Sequence, residues 1–201
     1  MIVVIDYGVG NVGSIISIIN KIGFEVIQSC DPQVISKAHK LILPGVGAYD
    51  KAMMELNNRN LLSVLHREVI VNKKSILGIC LGAQILGKSS EEGTLSGLGW
   101  IDMEVKKFNH LSLRVPHMGW NYVKPSRPSP LFDLSPGEEN KFYFVHSYYM
   151  ECKSEEDVIG QTHYGYDFAS VVNKENIYGV QFHPEKSHKY GFNLLQSFIN
   201  A

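Results

Sequence analysis

The strongest constraint on the fold of this chain is the stretch Ser75-Ile76-Leu77-Gly78-Ile79-Cys80-Leu81-Gly82-Ala83-Gln84-Ile85-Leu86. An apolar run enters a cysteine bracketed by glycines and leaves with helical character. That pattern predicts a nucleophile elbow, in which a buried strand ends in a sharp turn presenting one side chain, and small neighbours let the backbone turn tightly. A helix beginning at Leu81 would aim its first free N–H groups and the positive end of its dipole at the sulfur, favouring the thiolate. The Leu81 N–H would also serve as an oxyanion donor. The same string fits a buried structural cysteine on a core strand, because free Cys is among the most buried residue types. The elbow reading therefore needs a partner elsewhere in the chain.

With 201 residues the chain is long enough for one domain with a sizeable core and too short for two comfortable ones. Its net charge is -1 and its Lys and Arg are scattered, which argues against a nucleic-acid partner. No apolar stretch approaches a membrane span. The start, Met1-Ile2-Val3-Val4-Ile5-Asp6, lacks the charged head of a signal peptide and reads as a strand, so the expected location is cytoplasmic. Cys30, Cys80 and Cys152 form no C-x-x-C pair, which argues against a disulfide framework and a zinc site. Cys30 and Cys152 read as small packed hydrophobes. No cofactor or metal is expected.

Ile2 to Ile5 is a β-branched run ending at Asp6-Tyr7-Gly8-Val9-Gly10-Asn11-Val12-Gly13, before a helical pattern from Val12 to Ile22. Gly8, Gly10 and Gly13 have the spacing of a dinucleotide site, yet the segment after the next strand, Phe24 to Gln28, offers Ser29 and Cys30 instead of an acidic residue. Leu41-Ile42-Leu43 is a strand, followed by Pro44-Gly45-Val46-Gly47, a helix from about Ala48 to Asn58 and another from Leu61 to about Asn72. Alternating strands and helices predict an α/β, doubly wound, parallel sheet with helices on both faces. Functional groups then belong at the carboxyl ends of the strands, where the Asp6–Gly13 loop, Pro44–Gly47 and Cys80 all fall. Pro44–Gly47 is equally compatible with an ordinary tight turn. After Lys88, short alternating runs predict strands at Trp100–Phe108, Leu113–Val115, Asn121–Lys124, Phe142–Val145, Val158–Gln161, Ala169–Val172 and Ile177–Gln181, added antiparallel at one edge. Ser126-Arg127-Pro128-Ser129-Pro130 reads as a surface loop, and His188 to Ile199 as a closing amphipathic helix.

A thiol nucleophile needs a base, and the base needs a group that fixes its tautomer. Gln181-Phe182-His183-Pro184-Glu185 supplies both at the end of the last predicted strand. On extended chain, His183 and Glu185 leave the same face, and Pro184 stiffens the segment between them. A lone histidine would more often be structural. With Glu185 beside it and an elbow cysteine upstream, His183 is the expected base.

Gly78-Ile79-Cys80-Leu81-Gly82-Ala83-Gln84 together with Gln181-Phe182-His183-Pro184-Glu185-Lys186-Ser187 resembles the triad-type glutamine amidotransferases. The added blocks Asp6–Asn11, Pro44–Gly47, Val115–Asn121 and Phe142–Tyr148 resemble, within that group, the family of glutaminase subunits of imidazole glycerol phosphate synthase, across the whole chain. The resemblance implies a flavodoxin-like architecture and a Cys80–His183–Glu185 triad. It also implies an oxyanion hole from Val46 and Leu81, and a glutamine pocket lined by Gly45, Gly47, Gln84, His146, Ser147 and Tyr148. Asn11, Met118, Trp120, Tyr143 and Lys186 would face a (β/α)8 cyclase partner in a heterodimer that receives ammonia through a channel. The chain departs from the family in carrying Ala83 where methionine is usual, which bears on the packing behind the pocket.

Other readings stand beside this one. Gly87–Gly93 and Gly97–Asp102 also resemble a paralogous branch that supplies ammonia for amidating a surface-polysaccharide sugar. A non-catalytic interaction subunit would have no need of Cys80, His183 and Glu185 together. A free-standing cysteine hydrolase would need no partner. Met118 and Trp120 beside prolines and glycines suggest a docking surface, because large apolar groups in loops are unfavourable when wet; core packing is the alternative for each.

Overall fold

The computed structural model describes residues 1–109, 113–132 and 139–201. In chain order the strands are β1 (Ile2–Ile5), β2 (Val26–Ser29), β3 (Lys40–Gly45), β4 (Ser75–Cys80), β5 (Ser89–Ser90), β6 (Met103–Lys107), β7 (His117–Tyr122), β8 (Lys124–Pro125), β9 (Lys141–His146), β10 (Tyr148–Cys152), β11 (Val158–Tyr164), β12 (Tyr166–Lys174) and β13 (Ile177–Val180). The helices are α1 (Val12–Ile22), α2 (Pro32–Lys37), α3 (Tyr49–Asn58), α4 (Leu61–His66), α5 (Leu81–Gln84) and α6 (His188–Asn200).

All four residues of β1 are buried, and their alternation shows why the run is apolar throughout. Val3 and Ile5 join a core on one face of the sheet, and Ile2 and Val4 join a core on the other. The first core takes its helical side chains from α2 through α5, including Ile35, Ala52 and Leu65. The second takes them from α1 and α6, including Ile15, Ile19, Leu194 and Phe198. Parallel pairing joins β2, β1, β3, β4 and β13 in that order. Strand order reverses between β1 and β3, so a crevice opens at the carboxyl ends there. Antiparallel strands β12, β10 and β6 extend the sheet beyond β13, as the alternating second half predicts. β5 then pairs parallel to β6, and β7 and β9 leave the main sheet to form an antiparallel pair of their own.

Several local expectations change. Leu113–Val115 forms no strand; the Arg114 carbonyl accepts from the Tyr164 hydroxyl at 2.7 Å instead of a ladder partner. The helix from Leu61 stops being α-helical at His66 and continues as a π-turn over Arg67–Val71, where three β-branched residues weaken the α-helix. Tyr148–Cys152 is a strand that the sequence reading omitted. Cys30 is exposed, not packed, because it follows the edge strand β2 as the chain turns toward α2. Cys152 is partly buried, and burial pushes its thiol up to about 12.

Candidate active site

β4 delivers Cys80 to the carboxyl edge of the sheet, and the backbone turns at the cysteine itself. Cys80 has φ 54° and ψ -110°, outside the regions L-residues favour, while neither Gly78 nor Gly82 has a positive φ. The glycines serve close packing instead. A Cβ on Gly78 would lie 2.6 Å from the Gly82 carbonyl oxygen, and one on Gly45 would lie 2.5 Å from the Gly82 nitrogen. β3, β4 and the turn after Cys80 therefore meet backbone to backbone. The helix leaving the elbow is one turn long, Leu81–Gln84, so the dipole expected from the sequence reduces to its first unpaired N–H groups.

β13 ends at Val180, and the next residues bring His183 to the same edge. Glu185 does not lie on extended chain as the sequence reading had it; Pro184–Lys186 is a 3-10 turn. The turn still folds the carboxylate onto the ring, with His183 Nδ1 and Glu185 Oε1 at 2.7 Å and both side chains buried. Burial alone would discharge the ring. The hydrogen bonds and charges of Cys80 and Glu185 outweigh that and carry the His183 pKa up to about 10. The second carboxylate oxygen, Oε2, is buried and has no hydrogen-bond partner among the described residues.

A cavity of about 440 Å³ opens over this group. Cys80, Leu81, Gln84 and His183 line it from the sheet side, and Val46 and Gly47 from the loop after β3. His146, Ser147 and Tyr148 close it from the β9–β10 connection, and Lys186 stands at its rim. Of the residues the resemblance gave to the pocket, Gly45 alone does not line it; it lies beneath, packed on the turn after Cys80. The Tyr7 hydroxyl holds the Pro44 carbonyl at 2.6 Å, so β3 is pinned up to that peptide. Beyond it Val46 is exposed and Gly47 has φ 95°.

Sequence reasoning did not assign Glu92, which lines the cavity, or Gln181 and His117, which bond to its lining residues. Glu92 lines it and accepts from the Tyr49 N–H at 3.1 Å, and burial raises its pKa. Gln181, fully buried, accepts from Gln84 Nε2 at 3.0 Å and points its own Nε2 at Cys80 Sγ, 3.8 Å away. His117 and His146 meet ring to ring, Nδ1 to Nε2, at 2.9 Å. Burial lowers the pKa of His117 to about 4 and that of His146 to about 3, so both rings are neutral near pH 7. Gln181 beside Phe182-His183 and His117 within Val115–Asn121 fall in strings that carry the resemblance, but the bonds they make depend on contacts between distant strands.

The residues expected to face a partner are largely gathered on one side. β7 alternates buried His117 with exposed Met118, Trp120 and Tyr122. Trp120 packs edge-on to Tyr143 and stacks on His188, and Lys186 Nζ lies 5.8 Å from the Tyr143 ring centre. Asn11 is exposed at the start of α1 and makes no side-chain cap. Among the described residues no helix is long and apolar enough to cross a membrane, and no group of three or more His, Cys, Asp or Glu could hold a metal ion.

A mixed sheet of this order, with a cysteine elbow over β4, defines the class-I glutamine amidotransferase architecture. The sequence pattern of the family "Glutamine amidotransferase class-I" matches residues 3–200. The structure of PurLQS from Thermotoga maritima superposes with a TM-score of 0.75, at 17% identity, covering 99% of this chain and 97% of that one. Imidazole glycerol phosphate synthase subunit HisH 2 of Methanococcus maripaludis is 52% identical over 99% of this chain and 98% of its own. The HisH 2 subunit of Pseudomonas aeruginosa is 46% identical over the same shares. The chain belongs to the class-I glutamine amidotransferases and, within them, to the HisH subunits of imidazole glycerol phosphate synthase.

Proposed function

We propose that the chain works as one domain in the cytoplasm, hydrolysing glutamine to glutamate and ammonia and passing the ammonia through a channel to a (β/α)8 cyclase partner that makes imidazole glycerol phosphate. The observation that carries this is that Cys80 and His183 line one cavity while the buried Glu185 carboxylate bonds His183 Nδ1.

The chemistry follows from those positions. With the His183 pKa raised to about 10, the proton already rests on His183, and the Cys80 sulfur attacks the carboxamide carbon of glutamine. The negative charge that develops on the carboxamide oxygen is met by the N–H groups of Leu81 and Val46. His183 returns the proton to the departing nitrogen, and ammonia leaves a glutamyl thioester on Cys80. A water, deprotonated by His183, then breaks the thioester to give glutamate and free the Cys80 sulfur, with the proton again on His183. Glu185 keeps the ring in the tautomer and orientation this cycle needs. Glu92 and Lys186 offer opposite charges at the cavity to the ammonium and carboxylate of the free amino acid. Asn11, Met118, Trp120, Tyr143 and Lys186 form the docking face for the cyclase.

Co-purification with the barrel subunit encoded nearest to it tests the reading. The pair is expected to release glutamate and close the imidazole ring at equal rates. Glutamate release coupled to amidation of a sugar would replace the acceptor with that of the polysaccharide branch. A barrel that neither binds nor stimulates the chain would leave a free-standing hydrolase.

A further inference from the structure

Hydrogen-bond directions in the cavity wall can be assigned by elimination, because a carbonyl only accepts. His146 Nδ1 lies 2.7 Å from the Tyr148 carbonyl oxygen, so it carries the proton and Nε2 is the acceptor. His117 Nδ1, 2.9 Å from that Nε2, must then donate, which leaves His117 Nε2 bare to accept from Asn121 Nδ2 at 3.2 Å. Asn121 is itself fixed: Nδ2 also donates to the His163 carbonyl at 2.9 Å, and Oδ1 accepts from the Tyr122 N–H at 2.8 Å. At the other end, the Tyr148 carbonyl takes a second bond from Gln84 Nε2 at 3.0 Å, and Gln84 Nε2 also donates to Gln181, whose amide reaches Cys80 Sγ. Two donor runs thus meet at the Tyr148 carbonyl: one comes from Asn121 and ends there, and Gln84, which also donates to it, starts the other, which ends at the sulfur.

Packing does not require this polarity. The His117 ring stacks on Tyr164 and Phe144, with centres 4.1 and 4.8 Å apart, a slot that suits an aromatic hydrocarbon. Burying two imidazoles there is unfavourable unless their bonds are all made, and a fully satisfied buried network specifies one geometry. We propose that His117 is a positioning residue for the glutamine pocket, holding His146 and, through the Tyr148 carbonyl, the amides of Gln84 and Gln181 beside Cys80. The proposal rests on the reading of this cavity as a glutaminase site.

The test compares His117→Phe, His117→Asn and Asn121→Ala in the complex with the cyclase. Glutamine KM and kcat are measured, along with alkylation of Cys80 by iodoacetamide, which does not need the pocket. His117→Phe is expected to raise KM about tenfold, the effect of losing a buried hydrogen bond, with kcat within about threefold and alkylation within about twofold of wild type. His117→Asn, whose amide nitrogen can stand in for Nδ1, should return KM to within about threefold of wild type. Asn121→Ala, at a partly exposed position, should raise KM about threefold and carries the test if His117→Phe does not fold. Wild-type KM in folded His117→Phe or Asn121→Ala, equal impairment of the Phe and Asn variants, or alkylation slowed in step with KM would overturn the positioning role. A wild-type complex that turns over no glutamine would overturn the glutaminase reading and this role together.

Discussion

Gly82 lies so close to Leu43 that a Cβ on it would overlap the Leu43 carbonyl oxygen. β3 and the turn after Cys80 therefore fit together only if position 82 has no side chain. Gly82→Ala is expected to lower the unfolding free energy by about 3 kcal/mol or more, since backbone cannot yield as a side-chain tip can. An unchanged urea midpoint would show that the two segments can separate.

The elbow stores strain at the cysteine itself. A residue in a sparsely populated backbone region is disfavoured by about 1–3 kcal/mol, and glycine escapes that penalty. Cys80→Gly should therefore be more stable than Cys80→Ala by about 1 kcal/mol, although both lack the sulfur. Equal urea unfolding curves for the two variants would remove the strain.

The pH dependence of stability has two limbs with opposite signs. Burial places the folded pKa values of His117 and His146 below the unfolded value of about 6.5. What their neutral rings contribute is fully present above about pH 6.5 and is lost as the pH falls through about 4 and then 3. His183 behaves the other way: with its pKa raised to about 10, its contribution is present below about 6.5 and lost as the pH climbs through 10. Urea titrations should show His117→Phe flattening the acid limb and Cys80→Ala flattening the alkaline one. Unchanged limbs in both variants would contradict these assignments.

The loop after β3 offers a way for the partner to control the rate. Pro44 is held by Tyr7, while the Val46–Gly47 peptide lies beyond that anchor with Gly47 in the left-handed region and open space where its Cβ would be. Gly47→Ala should strain any state that keeps this φ, and mispositioning one oxyanion donor lowers the rate by roughly 10²–10³. The partner-stimulated glutaminase rate is expected to fall far more than the basal rate. Equal losses with and without the cyclase would count against gating by this loop.

Much of the site was legible because it is local. Gly78 to Gln84 and Gln181 to Glu185 are contiguous strings whose chemistry is written in residue type and spacing, and β1, β3 and β4 announce themselves through apolar runs. Three things were not legible, for physical reasons. Residue type and spacing at His183-Pro184-Glu185 fit both an extended segment and the 3-10 turn that Pro184–Lys186 forms, so the sequence could not separate them. The glycines at 45, 78 and 82 answer to atoms on other segments, which spacing does not reveal. The chain from Asn121 through His117 and His146 to Gln181 links β7, the β9–β10 connection, α5 and the end of β13, and arises only once the sheet has assembled.

The central claim is that Cys80 attacks glutamine and that the ammonia released serves the partner's acceptor. The most direct measurement follows the complex of cyclase and Cys80→Ala with glutamine and, separately, with ammonium. The account predicts no glutamate from glutamine, and ring closure at a rate like that of the wild-type complex when ammonium is supplied. Glutamate release by the Cys80→Ala complex at the wild-type rate would contradict it.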